Sequence, residues 1–230
     1  MQPSLTNPMS YGVYRLLDPN DAATMVRELE RLSFVDGKLT AGGGAREIKN
    51  NLQVDRERAE TSEADRIFTA ALGRNEEFQV FAMPQRFLMP IYSQYEPGMG
   101  YGAHIDNSLM GGYNGLRTDL AMTLFLSPPE SYDGGELVLH LPVGAEEIKL
   151  ESGEAIVYPA SYIHHVATVT RGIRLAAVTW LQSAVRDERL RAILRDLYDA
   201  VNQTAADGNK ELSLKLNKDY HNLIRYAAEP

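Results

Sequence analysis

From Arg86 to Gln182 the chain breaks into seven short β-rich runs separated by Gly, Pro and Asn. They are Phe87 to Tyr95, Asp119 to Leu126, Glu136 to Leu141, Glu147 to Leu150, Ala155 to Tyr158, Val166 to Val169 and Ile173 to Leu181. Strands at this spacing point to an antiparallel sandwich or jelly roll. Asp133-Gly134-Gly135 marks a tight turn between two of them, so Asp133 is read as a turn residue. His140 reads as a lone histidine on a strand surface.

Helical patterns flank this region. Asp18-Pro19 has the form of an N-cap followed by proline at the first helical position, and Ala22, Met25, Val26, Leu29 and Leu32 follow at helical spacing. This predicts an amphipathic helix ending near Ser33. Ser62 with Asp65 starts a second helix through Ile67, Ala70, Ala71 and Leu72, stopped at Gly73. Gly42-Gly43-Gly44 lacks the GK[ST] ending of a phosphate cradle and reads as a mobile loop. After Gln182, Leu190, Ile193, Leu194, Leu197, Tyr198 and Val201 form a helical stripe. Polar residues 203–209 separate it from a last segment carrying Leu212, Leu214, Leu216, Tyr220, Leu223, Ile224 and Tyr226. The expected architecture is mainly β with α: a helical support segment (1–85), a jelly-roll core (86–182) and a C-terminal helical unit (183–230). That unit would fold against the core or against a second subunit in a homodimer.

Composition narrows the chemistry. With no cysteine, disulfides, thiolate zinc and iron–sulfur ligation are excluded, leaving His and carboxylate as the strong metal ligands. A net charge of −8 disfavours nucleic-acid binding, which wants clustered Lys and Arg. No run is long and apolar enough to span a bilayer, and no signal-peptide pattern opens the chain, so a cytoplasmic location is expected.

Within that ligand set one pattern stands out. His104 and Asp106, two apart in an extended stretch, face the same way and can present an imidazole and a carboxylate to one point. His164 lies far downstream, and Arg174 follows ten positions later. Two imidazoles and one carboxylate on one face of an octahedron leave three positions open, which suits Fe(II) binding a bidentate co-substrate and O₂. Only one of His164 and His165 can point into the pocket of a strand, and counting back from Arg174 favours His164. An Arg in the run Ile-Arg-Leu-Ala-Ala-Val is expensive to bury without an anion, and its guanidinium can fork onto the tail of a dicarboxylate.

The chain resembles the PKHD-type hydroxylases, Fe(II)- and 2-oxoglutarate-dependent dioxygenases, and among them the bacterial branch associated with iron uptake (PiuC/YbiX type). The resemblance runs along nearly the whole chain. It is carried by residues 35–42 (VDGKLTAG), Lys49-Asn50-Asn51, 101–107 (YGAHIDN), 117–120 (RTDL), 132–137 (YDGGEL), 158–161 (YPAS), 169–174 (VTRGIR) and 220–225 (YHNLIR). It implies a double-stranded β-helix with the metal site inside its open end, His104, Asp106 and His164 as iron ligands, and Arg174 as the 2-oxoglutarate arginine. The implied reaction converts 2-oxoglutarate and O₂ to succinate and CO₂ while hydroxylating an unactivated C–H bond, with ascorbate as an auxiliary reductant. Many relatives of this chemistry carry Ser or Thr two residues after the arginine, where this chain has Ala176. Tyr95 is the hydroxyl expected to serve instead. Asn107, the loop Ser108 to Gly115, Arg117 and the glycine-rich loop are candidates for gating a small-molecule or peptide substrate, whether peptidyl proline or lysine, an amino acid or a siderophore-like compound.

The rival reading is a jelly-roll sensor that binds Fe(II) or 2-oxoglutarate without turnover, its C-terminal helices acting as output. A metal-dependent hydrolase fits less well, since it lacks a second carboxylate as general base and leaves Arg174 without a role.

Overall fold

The computed structural model describes residues 11–40, 44–56, 62–112 and 115–229. Two β-sheets face each other, and helices cover the outer side of the larger one. That sheet runs in the order β1 (Gly12–Arg15), β13 (Glu154–Pro159), β10 (Leu120–Phe125), β15 (Arg174–Ser183), β6 (Ile91–Tyr95), β4 (Leu52–Val54) and β2 (Phe34–Asp36). β5 (Pro84–Phe87) pairs with the far end of β15. The smaller sheet runs β12 (Gly144–Ile148), β11 (Leu137–Leu141), β14 (Ile163–Val166), β7 (Gly100–His104) and β3 (Lys49–Asn50). A short hairpin, β8 (Leu109–Met110) with β9 (Leu116–Arg117), follows β7. All the strand pairs are antiparallel, as the jelly-roll expectation requires.

Alternation along the central strands explains why they read as continuous apolar runs. In β10, Leu120, Met122 and Leu124 join the core beneath the helices, while Ala121 and Phe125 join the core between the sheets. A strand covered on both faces has no solvent side on which to place polar residues.

The first covering helix, α1 (Pro19–Leu29), begins as predicted: the Asp18 carboxylate accepts from the N–H groups of Asn20 and Asp21 at 2.8 and 2.9 Å. It stops at Leu29, short of Ser33. A single turn, α2 (Ala45–Ile48), precedes β3. α3 (Ser62–Arg74) matches the second expected helix. A further helix, α4 (Glu76–Ala82), was not anticipated, although its start is marked by Asn75, which caps the N–H of Phe78 at 2.8 Å. Met25, Leu29, Phe68, Leu72, Phe78 and Ala82 together seal the outer face of the large sheet. The N-terminal stretch is therefore more than helical support: it also supplies β1 to β4. The strand expected at Val166 to Val169 sits earlier, at Ile163–Val166, and the expected strand from Phe87 to Tyr95 is two strands, β5 and β6.

The C-terminal stripe forms α5 (Glu188–Ala206), followed by α6 (Lys210–Ala227). They form a pair, with Tyr198 and Tyr220 ring centroids 5.8 Å apart. The pair is tied to the core: Tyr198 bonds Glu76 of α4, and Glu229 N–H donates to Ala184 O at 3.0 Å. No helix among the described residues is long and apolar enough to cross a membrane. Gly42 and Gly43 of the expected mobile loop lie outside the described residues.

Candidate active site

A cavity of about 480 Å³ opens between the sheets, lined from both of them. His104 ends β7, His164 lies in β14, and the two are register partners across the small sheet. Asp106 sits just beyond the end of β7, outside the regular strand. One ligand atom from each of the three lies within 4.8 Å of the other two, and the His164 Nε2 to Asp106 Oδ2 distance is 3.9 Å.

Backbone carbonyls orient both rings. His104 Nδ1 is 2.9 Å from Gly102 O, and His164 Nδ1 is 3.0 Å from Tyr162 O. A carbonyl only accepts, so Nδ1 carries the proton in each ring and the Nε2 lone pairs are left for a metal. Tyr101 stacks on His104, centroids 3.9 Å apart, and Tyr158 meets His164 edge-on at 5.3 Å.

Burial pulls both imidazoles below the ordinary histidine pKa, which keeps them in the neutral, ligating form. Burial pushes the Asp106 carboxyl up, with the Trp180 indole and His104 working against it. Asp106 Oδ2 is a buried acceptor with no hydrogen-bond partner among the described residues. A buried carboxylate oxygen left bare beside two imidazole lone pairs fits a divalent cation.

His165 is excluded from this cluster. Its side chain points to the opposite face of β14, where its Nδ1 lies 3.0 Å from Nε2 of exposed His140. His140 is thus on the surface as expected, but as one of a pair.

Arg174 begins β15 with 1% of its surface exposed. Its register partner is Tyr95, and its guanidinium carbon lies 5.1 Å from the centroids of both Tyr95 and Phe125. No ion pair reaches it among the described residues, and Nε has no hydrogen-bond partner. A cation so deeply buried requires an anion, and the cavity is the place from which one can come. Ala176, on the same face, offers no hydroxyl. The Tyr95 hydroxyl is held well protonated by burial, with Arg174 and Asn51 opposing. Arg171, the neighbouring arginine, instead forks onto Asp133 at 2.6 and 3.0 Å on the exposed surface.

Asn107 lines the cavity, as do Ile105, Leu109 and Met110. Arg117 does not. Its guanidinium is held by Asp119 at 2.7 and 2.9 Å, with Glu229 and Ser183 O completing the set, so the gating role expected for it gives way to an anchoring one between β9 and the chain end.

Sequence reasoning did not single out Trp180, Lys49, Asn51 or Gln53 as site residues, yet all four line the cavity. Trp180 had a findable signal, since it lies six after Arg174 on one strand and therefore on the same face. Burial pulls the Lys49 ammonium down to about 8, with Asp36 opposing.

Residues 90–182 match the family described as the 2OG-Fe(II) oxygenase superfamily. The chain is 41% identical to a PKHD-type hydroxylase of Rippkaea orientalis over 94% of this chain and 98% of that one. It is 38% identical to the PKHD-type hydroxylase YbiX of Escherichia coli O1:K1 / APEC, over 96% of this chain and all of the relative. In fold it is similar to a prolyl hydroxylase from Trichoplax adhaerens solved in complex with a hypoxia inducible factor peptide fragment. That likeness has a TM-score of 0.56 at 16% identity, over 80% of this chain and 86% of that one.

Proposed function

Because the chain belongs to the PKHD-type hydroxylases, and so is a 2-oxoglutarate-dependent dioxygenase that uses Fe(II), we propose that His104, Asp106 and His164 hold the iron and that Arg174, helped by Tyr95, holds the distal carboxylate of 2-oxoglutarate. The observation that carries this reading is the convergence of three ligand atoms within 4.8 Å in the cavity that also holds the uncompensated Arg174. When bound, iron and 2-oxoglutarate supply the oxidising power that converts O₂, 2-oxoglutarate and a C–H bond into CO₂, succinate and an alcohol.

The protein's part is placement. Gly102 O and Tyr162 O fix the imidazole tautomers, Tyr101 and Tyr158 wedge the rings, and Trp180 flanks the Asp106 carboxylate. Arg174 sets the direction from which the co-substrate enters, its planar fork matching a carboxylate. The apolar walls, including Ile91, Leu137 and Val178, keep water from the reacting centre. Asn107, at the wall next to the ligand pair, is proposed to gate the substrate.

The substrate is a small molecule or peptide. Peptidyl proline or lysine, a free amino acid and a siderophore-like compound are the candidates, and ¹⁸O₂ labelling of cell extract followed by mass spectrometry would identify the labelled product. We extend the proposal to ascorbate as auxiliary reductant, a cytoplasmic setting, and self-association through α5 and α6, whose Ile193 and Leu214 are 55% and 70% exposed. The division into support (1–85), catalytic core (86–182) and helical unit (183–230) belongs to the same proposal. The direct test is succinate formation from 2-oxoglutarate in air with Fe(II). Its absence with iron and 2-oxoglutarate bound would favour the non-catalytic sensor.

A further inference from the structure

His140 and His165 stand on neighbouring strands of the small sheet, on the face turned away from the cavity. The register pairs Val138 with His165 and His140 with Ile163, so the two histidines are diagonal neighbours on that face. His164 and His165 follow one another along β14, and successive side chains of a strand leave it on opposite sides. The same strand therefore offers one imidazole to the cavity and the next to solvent.

The His140 side chain is exposed and that of His165 half-buried, and His140 Nε2 lies 3.0 Å from His165 Nδ1. Two neutral rings hold this arrangement by sharing a single proton, one nitrogen donating and the other accepting. The separation also suits an ion. Imidazole nitrogens bind zinc at about 2.0 to 2.1 Å, so two of them at a right angle about the metal stand about 2.9 Å apart. Exchange of proton for metal asks only that the donating ring carry its proton on its other nitrogen and that the exposed His140 ring turn slightly. Neither oxidation nor net loss of a proton is involved.

A carboxylate lies on the same face. Glu147 of β12 is exposed and is the cross-strand partner of Val138, and its charge acts on the His165 ring. Glu146, its neighbour, is engaged elsewhere by the Tyr11 hydroxyl. Imidazole pairs favour the late first-row divalent ions, which bind nitrogen more tightly than Fe(II) does.

We propose that His140 and His165 form a second metal site, taking a late first-row divalent cation such as Zn²⁺, with Glu147 supplying negative charge beside it and water filling the remaining positions. The ion clips β11 to β14 across the strand boundary, behind the strand that carries His164. The site is separate from the triad and does not depend on the dioxygenase reading.

The test is a calorimetric titration of the metal-free full chain with Zn²⁺, in wild type and in single-histidine variants. His140→Ala and His165→Ala should each bind one Zn²⁺ fewer than wild type, whereas His104→Ala should keep the Zn²⁺ that those two lose. His221, the one remaining histidine, stands exposed on α6, and His221→Ala should bind as many ions as wild type. In His104→Ala, Zn²⁺ should still raise the melting temperature by binding the folded state, and adding His140→Ala should remove that rise. Wild-type stoichiometry in His140→Ala or His165→Ala overturns the proposal, as does a His104→Ala variant that binds no Zn²⁺ or a loss caused equally by His221→Ala. Since the readout is bound zinc, the result holds whatever the succinate assay gives.

Discussion

Arg174 and Tyr95 are register partners on neighbouring antiparallel strands, with the guanidinium carbon 5.1 Å from the phenol ring. This pairing ties the cation proposed to receive the co-substrate carboxylate to the hydroxyl best placed to share it. Arg174→Lys keeps the charge and loses the two-pronged geometry. Losing one charge-assisted hydrogen bond costs about 1.5 to 3 kcal/mol, or roughly ten- to over a hundredfold in affinity. Steady-state succinate assays should show the 2-oxoglutarate requirement rising by that factor, with iron affinity in its absence near wild type. Arg171→Ala, which removes an exposed pair with Asp133 and a bond to Glu130 O, both away from the cavity, should leave that requirement unchanged.

Tyr95→Phe removes the hydroxyl and keeps the ring. A neutral hydrogen bond is worth about 0.5 to 1.5 kcal/mol, so the 2-oxoglutarate requirement should rise roughly two- to twelvefold. A wild-type requirement in this variant would leave Arg174 as sole clamp.

Ala at any of His104, Asp106 or His164 should abolish iron-dependent succinate formation with the fold retained by circular dichroism, because an incomplete triad holds Fe(II) poorly. The rise in melting temperature that Fe(II) gives wild type by binding the folded state should vanish too. His165→Ala loses only the surface contact with His140 and should remain active. Activity in His164→Ala with loss in His165→Ala would reverse the assignment.

Asp18→Ala deletes the acceptor that caps α1. Such a cap contributes about 1 kcal/mol, which in a chain of this size corresponds to a fall of roughly 2 to 4 °C in melting temperature. Turnover well below that melting point should be unaffected, since α1 covers the face of the large sheet remote from the cavity.

The parts of this protein legible in sequence are those set by local chemistry. The Asp18-Pro19 cap, the helical stripe from Leu190, the glycine turn after Asp133 and the strand punctuation each depend on a few neighbouring residues. The triad was legible because its chemistry needs rare residue types at constrained spacing, and Arg174 because a charge inside an apolar run demands explanation. The wall of Lys49, Asn51 and Gln53 was not, since three polar residues at alternate positions look like the solvent face of a strand until the fold shows that face closed over a cavity. Arg117 failed in the opposite sense. It stands near the site in sequence, yet Asp119 two residues on and Glu229 at the far end of the chain claim its guanidinium. The strands β1 to β4 were missed because they are two to four residues long and gain their pairing only from distant partners.

The two imidazoles belong to the small sheet and Arg174 to the large one, so the interval between the proposed metal site and the guanidinium is a gap between layers. Phe125 and Ile156 on one side, and Leu137 and Leu139 on the other, fill that gap and set its width. On the proposed assignment of Arg174, the protein carries a ruler for 2-oxo diacids whose graduations are cut by hydrophobic volume. A core substitution such as Leu139→Ala, which touches no reactant, should betray itself as a blurred preference between five- and six-carbon co-substrates before it shows as lost catalysis.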